Sequence, residues 1–290
     1  MWYLAPMKRA AFAVSLVVGA LAAGAVAFAA PPKPAAAAAV GDAPTVSSLS
    51  TLMEKDLHWG MTHTDVVTLY NQLNGLFDRE YAGPLARLHT GSQEQQQLEA
   101  DRDNRKANFE RSLTEFNVGT PTGYDVTALH GEYTYGNSEA VQRLFKDGKT
   151  RYFFYIKDRL WKLYDEIPLR EGSPLGSSFQ EAVTKLNALL GVAGRVRAAD
   201  PSQNLDRTEV DWQDGRTHLR AVDRSGEHIV GIVLVDKNTE MNLTALRTYK
   251  PVDPFALDPS IANITKKGIS DPNAGKAPPD TPPPGKGKKH

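Results

Sequence analysis

Residues 145–166 constrain the fold of this chain more than any other stretch. Aromatic and β-branched residues recur there between two polar breaks, at residues 146–148 and 157–158. The first break contains Asp147-Gly148, the pair that a tight hairpin favours. The runs alternate with a period of two, which places successive side chains on opposite faces of a sheet. We therefore expect two consecutive antiparallel turns, with one face of the sheet buried and the other wetted.

Charge is unevenly distributed along the chain. The 290 residues have a formal net charge of zero. Lys8 and Arg9 contribute +2 near the N-terminus, and residues 266–290 contribute six lysines and two aspartates, or +4. Subtracting both from zero leaves roughly −6 on the rest of the chain. The body is therefore mildly acidic and the C-terminal tail is basic.

The N-terminus has the pattern of a secretory signal peptide. Residues 7–9 form a charged start, residues 10–29 are apolar, and Ala-Phe-Ala at residues 27–29 is a small-x-small cleavage signal. We expect cleavage there and a periplasmic or secreted protein. The chain has no cysteine, so it has neither a lipid-modified residue nor a disulfide and must fold by packing alone. An exported chain of this composition fits a bacterial periplasm. The alternative is an uncleaved segment that tethers the protein to the inner membrane.

Composition divides the chain into five segments. Stretches rich in proline and alanine, or in proline and lysine, cannot bury enough apolar surface to fold. The predicted segments are a signal peptide (1–29), a disordered Pro/Ala linker (30–46), a first α+β module (47–170), a second α+β module (171–250) and an extended Pro/Lys-rich disordered tail (251–290). We expect the basic tail to make at most weak contact with anionic surface polymers, and no nucleic-acid partner.

Apolar spacing predicts three helices in the body. Thr62 can cap the first helix, with Asp65 at its third position. Its apolar stripe consists of Val66, Leu69, Tyr70 and Leu73. A charged helix at 92–117 is predicted as an insertion in the first module, where it either lies on the body by its C-terminal half or projects as an arm. A third helix is predicted at 178–190.

Alternating apolar residues and turn signals predict the strands. Strands are expected at residues 132–135, 141–145, 151–156, 159–164, 208–212, 216–223 and 228–235. Residues 242–250 are expected to form a closing helix or strand.

Two sequence matches recur in the same order along the chain. Residues 60–75 match residues 176–191 at both terminal glycines, at a Val-Thr pair and at an acidic position. Residues 145–150 and 212–217 both read aromatic-x-Asp-Gly-basic-Thr. The common order predicts an α+β fold of two tandem repeats, each a helix packed on an antiparallel β-meander. Short matches of this kind also arise by chance wherever hairpins form.

A family resemblance rests on the first of these matches. Residues 60–75 read Gly-Met-Thr-x-x-x-Val-x-x-Leu and end in Asn-Gly. This segment and the order of elements resemble the small periplasmic modules of the outer-membrane assembly lipoprotein family and of the β-lactamase-inhibitor-protein-like fold. The resemblance implies helices on one face of an antiparallel sheet, sometimes in tandem, and a role in binding proteins or scaffolding envelope machines. The chain lacks the lipidated cysteine of the lipoproteins, so outer-membrane anchoring does not carry over.

Motifs for catalysis or metal binding are not evident in the sequence. His58 and His63 are five residues apart across a helix start, a spacing that does not place two ligands on one face, and no third ligand is near. No Gly-x-Ser-x-Gly elbow occurs. We therefore expect a non-catalytic protein without a metal or cofactor. The alternative is a periplasmic hydrolase with a site between the two modules, near His218 and Asp214.

Large rings on both faces of the predicted meander suggest a binding surface. Strict alternation places Tyr155 and Trp161 on the same face, opposite Tyr152 and Phe154. Either the second module or the inserted helix covers the face that the first helix leaves open, or that face docks a partner. Rings and arginine supply most interface energy, so the predicted partner-binding residues are Tyr155, Arg159 and Trp161. The sequence thus predicts an exported cell-envelope protein that binds or scaffolds a protein partner.

Overall fold

A single antiparallel sheet forms the centre of the described chain. The computed structural model describes residues 42–146, 148–203 and 205–249. The strands are β1 (Thr114–Glu115), β2 (Glu139–Lys146), β3 (Lys149–Ile156), β4 (Arg159–Pro168), β5 (Arg195–Arg197), β6 (Glu209–Gln213), β7 (Thr217–Arg224) and β8 (Ile229–Asp236). Their order across the sheet is β1-β2-β3-β4-β8-β7-β6-β5, and every neighbouring pair is antiparallel. Two four-stranded meanders therefore join at the β4–β8 pair.

Six α-helices accompany the sheet in the described residues. They are α1 (His63–Asn71), α2 (Leu76–Leu85), α3 (Gln93–Glu110), α4 (Phe179–Leu190), α5 (Lys237–Met241) and α6 (Leu243–Leu246). The expected cap of α1 is present, since Thr62 and Asp65 form a reciprocal capping box. Within the described residues, no helix combines the length and apolar character needed to span a bilayer. The α+β class predicted from the sequence is confirmed.

Three local predictions need correction. The charged helix ends at Glu110 rather than at 117, because residues 114–115 pair with β2 and Phe116 is buried. The side chain of Leu73, expected in the apolar stripe of α1, follows the end of that helix and is 85% exposed. Residues 132–135 form a bend and irregular backbone that leads into a turn, rather than a strand.

The start of the folded body lies earlier than expected. Gln213 donates its backbone N–H to the Pro44 carbonyl (2.9 Å), and Val46 donates to the Gln213 carbonyl (2.8 Å). Ala43 and Val46 are also buried. Residues 43–46 therefore pack against β6, and the predicted linker at 30–46 is wrong for them. The predicted signal peptide and residues 251–290 lie outside the described residues.

Helices α1 to α4 pack on one face of the sheet. There they enclose an apolar cluster with the inward side chains of β2, β3, β4, β6, β7 and β8. Phe109 of α3 lies 4.9 Å from Tyr70 and 5.6 Å from Phe153, measured between ring centroids. The inserted helix therefore lies on the body by its C-terminal half, as one of the two sequence predictions held.

The second face of the sheet is also covered. Its apolar side chains form a second cluster beneath residues 116–137, which we call the covering loop, and beneath α6. Phe116 and Tyr133 stack at 3.7 Å in this layer, and Leu243 and Leu246 pack at its margin. The cover therefore comes mainly from a loop of the first module, with α6 of the second module at its margin, and the inserted helix does not contribute to it.

A β-bulge changes which rings share a face. The register of β3 and β4 shifts between the pairs Phe154↔Lys162 and Tyr155↔Leu160, leaving Trp161 unmatched. Because a bulge resets the alternation of side chains, Trp161 joins the second cluster whereas Tyr155 belongs to the helix-side cluster. The prediction that the two rings share a face is therefore wrong.

Gly231 lies where the two meanders meet, and we expect its replacement by alanine to destabilise the protein. Gly231 pairs with Glu166 on one side and Val222 on the other. An added Cβ would lie 2.8 Å from Cζ of Tyr164, which is fully buried. Overpacking of this kind costs about 1–3 kcal/mol. Urea denaturation measures the change in unfolding free energy.

The matched control for this substitution is Gly215→Ala. No heavy atom lies within 4 Å of a Cβ built at Gly215, so that variant should retain its stability. Equal denaturation midpoints for wild type and Gly231→Ala would contradict the close approach of Tyr164.

Candidate functional site

The three predicted partner-binding residues do not form one surface. Tyr155 is 1% exposed and donates its hydroxyl to Gln142 Oε1 at 2.9 Å within the helix-side layer. Trp161 is 3% exposed on the opposite face. Arg159 is exposed, and its Nη1 donates to the Gly60 carbonyl at 3.1 Å. The predicted trio is therefore corrected, because its two rings are buried in different layers.

Trp161 borders a set of paired charges, which we call the charged network. It comprises Glu132, Lys162, Glu209, Asp211, His218, Arg220 and Glu240. Nζ of Lys162 lies 4.5 Å from the ring centroids of Trp161 and Phe154 and 2.8 Å from Oε2 of Glu132. Arg220 bridges Glu132 (3.2 Å) and Glu209 (2.8 Å). Each of these cations therefore has a carboxylate partner.

The charged network shifts the titration of its members. Burial raises the pKa of Glu132, but the charges of Lys162 and Arg220 outweigh it and lower the value to about 2. Burial also lowers the pKa of Lys162, and the attraction of Glu132 does not fully restore it. A buried pair of this kind is costly to break from one side, because the remaining charge is left without a partner. The network therefore fixes the covering loop to β4 and β7.

His218 and Asp214, the residues named for the alternative hydrolase site, have separate partners. The carboxylate of Asp214 accepts the backbone N–H groups of Leu49 (2.7 Å), Arg216 (2.8 Å) and Thr217 (2.6 Å). The ring of His218 instead lies between Asp211 (3.4 Å) and Glu240 (3.1 Å). Asp214 therefore holds a hairpin and the N-terminal segment, while His218 belongs to the charged network.

The other two histidines considered for metal binding have separate partners. Nδ1 of His63 lies 2.7 Å from Oδ1 of Asp158, which also accepts the His63 backbone N–H at 3.0 Å. This contact fixes the start of α1 to the β3–β4 turn beside a cavity of about 420 Å³. His58 Nδ1 lies 3.3 Å from the Trp59 carbonyl. Within the part of the chain that the structure describes, no three His, Asp or Glu side chains are placed to hold a metal ion.

A groove between α3 and β2 combines charged, polar and apolar side chains. This β2 groove has a volume of about 700 Å³ and is lined by Asp101, Arg105, Asn108, Phe109, Arg111, Ser112, Arg143, Leu144 and Phe145. The side chain of Phe145 is 66% exposed. Arg105 pairs with Glu80 at 2.9 Å. Arg111 and Arg143 form no ion pair with any described residue, nor does Asp101. The groove therefore combines an exposed ring with a small net positive charge.

The backbone of β2 is incompletely paired along this groove. β1 covers only the start of β2, at Val141 and Ala140. Further along, Ser112 Oγ lies 3.1 Å from the Arg143 N atom and 2.9 Å from its carbonyl oxygen. The Phe145 carbonyl accepts only a long contact of 3.4 Å from Arg105. The outer edge of β2 thus opens into the groove at Phe145.

No protein-family model, curated protein or solved structure matches this chain. The resemblance carried by residues 60–75 therefore remains a prediction.

Sequence reasoning missed the β2 groove although it identified Phe145. The aromatic-x-Asp-Gly pattern places Phe145 just before a hairpin, where side chains commonly leave the core. The sequence does not show where α3 ends relative to β2. The turn that follows α3 at Arg111 and Ser112 brings these two polar residues to the outer edge of β2.

His218 makes stability depend on pH in a direction that its contacts determine. Burial lowers its pKa, but hydrogen bonds to Asp211 and Glu240 outweigh burial and raise it above the usual value. A raised folded-state pKa stabilises the protein fully below the unfolded value of about 6.5 and loses that contribution as pH rises through the folded value. Arg220 also faces this ring and opposes its charge.

We therefore expect His218→Gln to lose most stability under acidic conditions. The difference in unfolding free energy between wild type and variant should shrink as pH rises from about 5 to 9. Denaturant titrations across this range measure it. His130→Gln, which changes an exposed ring, serves as the control. A pH-independent difference for His218→Gln would contradict the assignment.

Proposed function

We propose that this protein is a non-catalytic binding module that holds a protein partner at the β2 groove. The observation that carries the proposal is the exposed ring of Phe145 beside an open strand edge. Aromatic and arginine side chains supply most of the energy of protein interfaces, and Phe145, Arg105 and Arg143 line the same groove. The proposal keeps the binding role predicted from the sequence and moves its location.

We propose that this role is exercised in the cell envelope after export. The charged start, apolar stretch and Ala-Phe-Ala site at residues 7–29 support export. N-terminal sequencing of the mature protein should begin after Ala29. A mature chain that retains residues 7–29 would favour a membrane tether instead.

We also propose that the body arose from two copies of one unit. In each half a helix precedes four strands, and the strand order is symmetric about the β4–β8 pair. Glycines with positive φ, Gly60 (86°) and Gly176 (96°), precede both helices. The side chain of Ser178 caps α4 as that of Thr62 caps α1. Experimental coordinates whose halves fail to superpose over helix and strands would count against this proposal.

The hairpins of the two halves are offset by one residue. In the first hairpin Lys146 pairs with Lys149, so Lys146 is the last residue of β2 that pairs across it. Asp214 N–H donates to the Thr217 carbonyl at 2.9 Å, so the second turn is Gly215-Arg216. Under the proposal, the two copies diverged in turn geometry and in the inserted α2 and α3.

We expect Phe145→Asp to abolish capture of the envelope partner while leaving the protein folded. The substitution removes an exposed ring from the groove, so the cost falls on binding rather than on the core. Affinity capture from the native envelope should lose one defined protein, by on the order of tenfold or more. Circular dichroism and thermal denaturation check the fold.

Val196→Asp is the matched control for this capture. Val196 is 65% exposed on β5, at the opposite edge of the same sheet. Capture that is insensitive to Phe145→Asp, or equally sensitive to both variants, would contradict binding at the β2 groove.

A further inference from the structure

The outer edge of β6 is completed by an extended segment of the chain itself. Thr45 forms a parallel bridge with Gln213. The Gln213 N–H donates to Pro44 and the Gln213 carbonyl accepts from Val46, at 2.9 and 2.8 Å. The side-chain amide of Gln213 also donates to the Ala43 carbonyl at 2.9 Å. Two backbone hydrogen bonds to Gln213, one from its side-chain amide and the burial of Ala43 and Val46 together hold a short added strand in this fold.

Phe145 occupies the equivalent place in the other half of the sheet. Gln213 directly precedes the Asp214–Thr217 pair that closes the β6–β7 hairpin. Phe145 likewise precedes the Lys146–Lys149 pair that closes the β2–β3 hairpin. Alternate residues of an antiparallel strand direct their backbone groups to opposite sides, so Phe145 faces outward as Arg143 does. No described residue accepts its N–H. One half of the sheet thus has an edge strand here, and the other half has an open position.

The chain carries a segment suited to that position just beyond Lys250. Residues 251–265 contain Asp253 and Asp258 and no lysine or arginine. Residues 255–258, Phe-Ala-Leu-Asp, lie between two prolines, and the residue before a proline favours an extended backbone. All four keep the N–H that strand pairing needs. Their acidic and apolar composition complements the rings and unpaired arginines of the β2 groove.

The chain beyond Tyr249 is long enough for this segment to span the distance to the groove. Tyr249 N–H donates to Asn137 Oδ1 at 2.8 Å, which places the chain beside the start of β2. From Glu139 to Phe145 the strand advances six residues, or about 20 Å at about 3.3 Å per residue. Residues 250–255 in extended form cover about the same distance.

We propose that residues 255–258 of the same chain add a short strand to β2 at Phe145 and occupy the β2 groove. Tethering gives this segment a high effective concentration at the edge, so few contacts suffice to hold it. A second copy of the body is a poorer occupant, because its own groove carries the same positive charge. A protein partner that binds at Phe145 must then displace this segment. Occupancy of the β2 groove by residues 255–258 would thereby control access of the partner.

Hydrogen exchange at a single amide tests the proposal in the full-length chain. We expect the Phe145 N–H to be protected in wild type and to exchange faster, by on the order of tenfold or more, in Ala256→Pro/Leu257→Pro. Ala274→Pro, outside the segment, is the matched control and should not change the rate. A Phe145 amide that exchanges freely in wild type, or equally fast in wild type and the double-proline variant, would overturn the proposal.

Engineered cysteines identify which chain supplies the segment. The native chain has no cysteine, so Arg143→Cys/Leu257→Cys contains a single oxidisable pair. We expect a disulfide within one chain for this pair and much slower oxidation for Val196→Cys/Leu257→Cys. Disulfide-linked dimers would overturn the proposal in favour of a second copy, and equal rates for the two pairs would overturn it outright. Both readouts omit the partner, so they stand or fall separately from partner capture.

Discussion

The pairing of β4 with β8 is the constraint on which the rest of this structure depends. Seven residue pairs, from Lys162↔Val235 to Pro168↔Ile229, join the two meanders. Each meander would otherwise expose a strand of eight or ten residues at its edge, and long open edges invite association. The outer strands β1 and β5 have only two and three residues. The fold therefore pairs the long strands β4 and β8 with each other in the centre of the sheet, and its outermost strands are the short β1 and β5.

This shared sheet also changes the meaning of the two predicted modules. Residues 47–170 and 171–250 each supply four strands, but one continuous sheet runs through both. The helix-side cluster draws side chains from both halves, including Phe153, Trp212 and Leu234. A boundary near residue 170 therefore does not separate independent cores.

Local sequence signals predicted the parts of this fold whose causes are local. The cap of α1 depends on Thr62 and Asp65, three residues apart, and the hairpins depend on alternation that runs for six residues or more. Helix α4 and the strands β3, β4, β6, β7 and β8 were accordingly predicted within a few residues of their observed bounds. Edge strands of two or three residues carry no periodicity, so β1 and β5 were not predicted.

Features with distant causes escaped prediction. The bulge at Trp161 responds to the register of β3 against β4, and a shift of one residue moved this ring from one face to the other. The cover of the second face comes from a loop of low periodicity, fixed by contacts such as that of Glu132 with Lys162. The open edge at Phe145 depends on where α3 ends. Propensity carries no information on any of these arrangements, because each is decided by residues far apart in sequence.

The position of β8 at the centre of the sheet has a consequence for biosynthesis. β4 is complete about 60 residues before β8 emerges, so for that interval the longest strand of the nascent chain pairs with β3 on one edge and is unpaired on the other. Loop closure over this separation also delays the joining step relative to hairpin formation. Chaperone dependence should therefore be concentrated in the period between translation of Pro168 and translation of Asp236. During this period half of the sheet exists and the edge of β4 that pairs with β8 is unpaired.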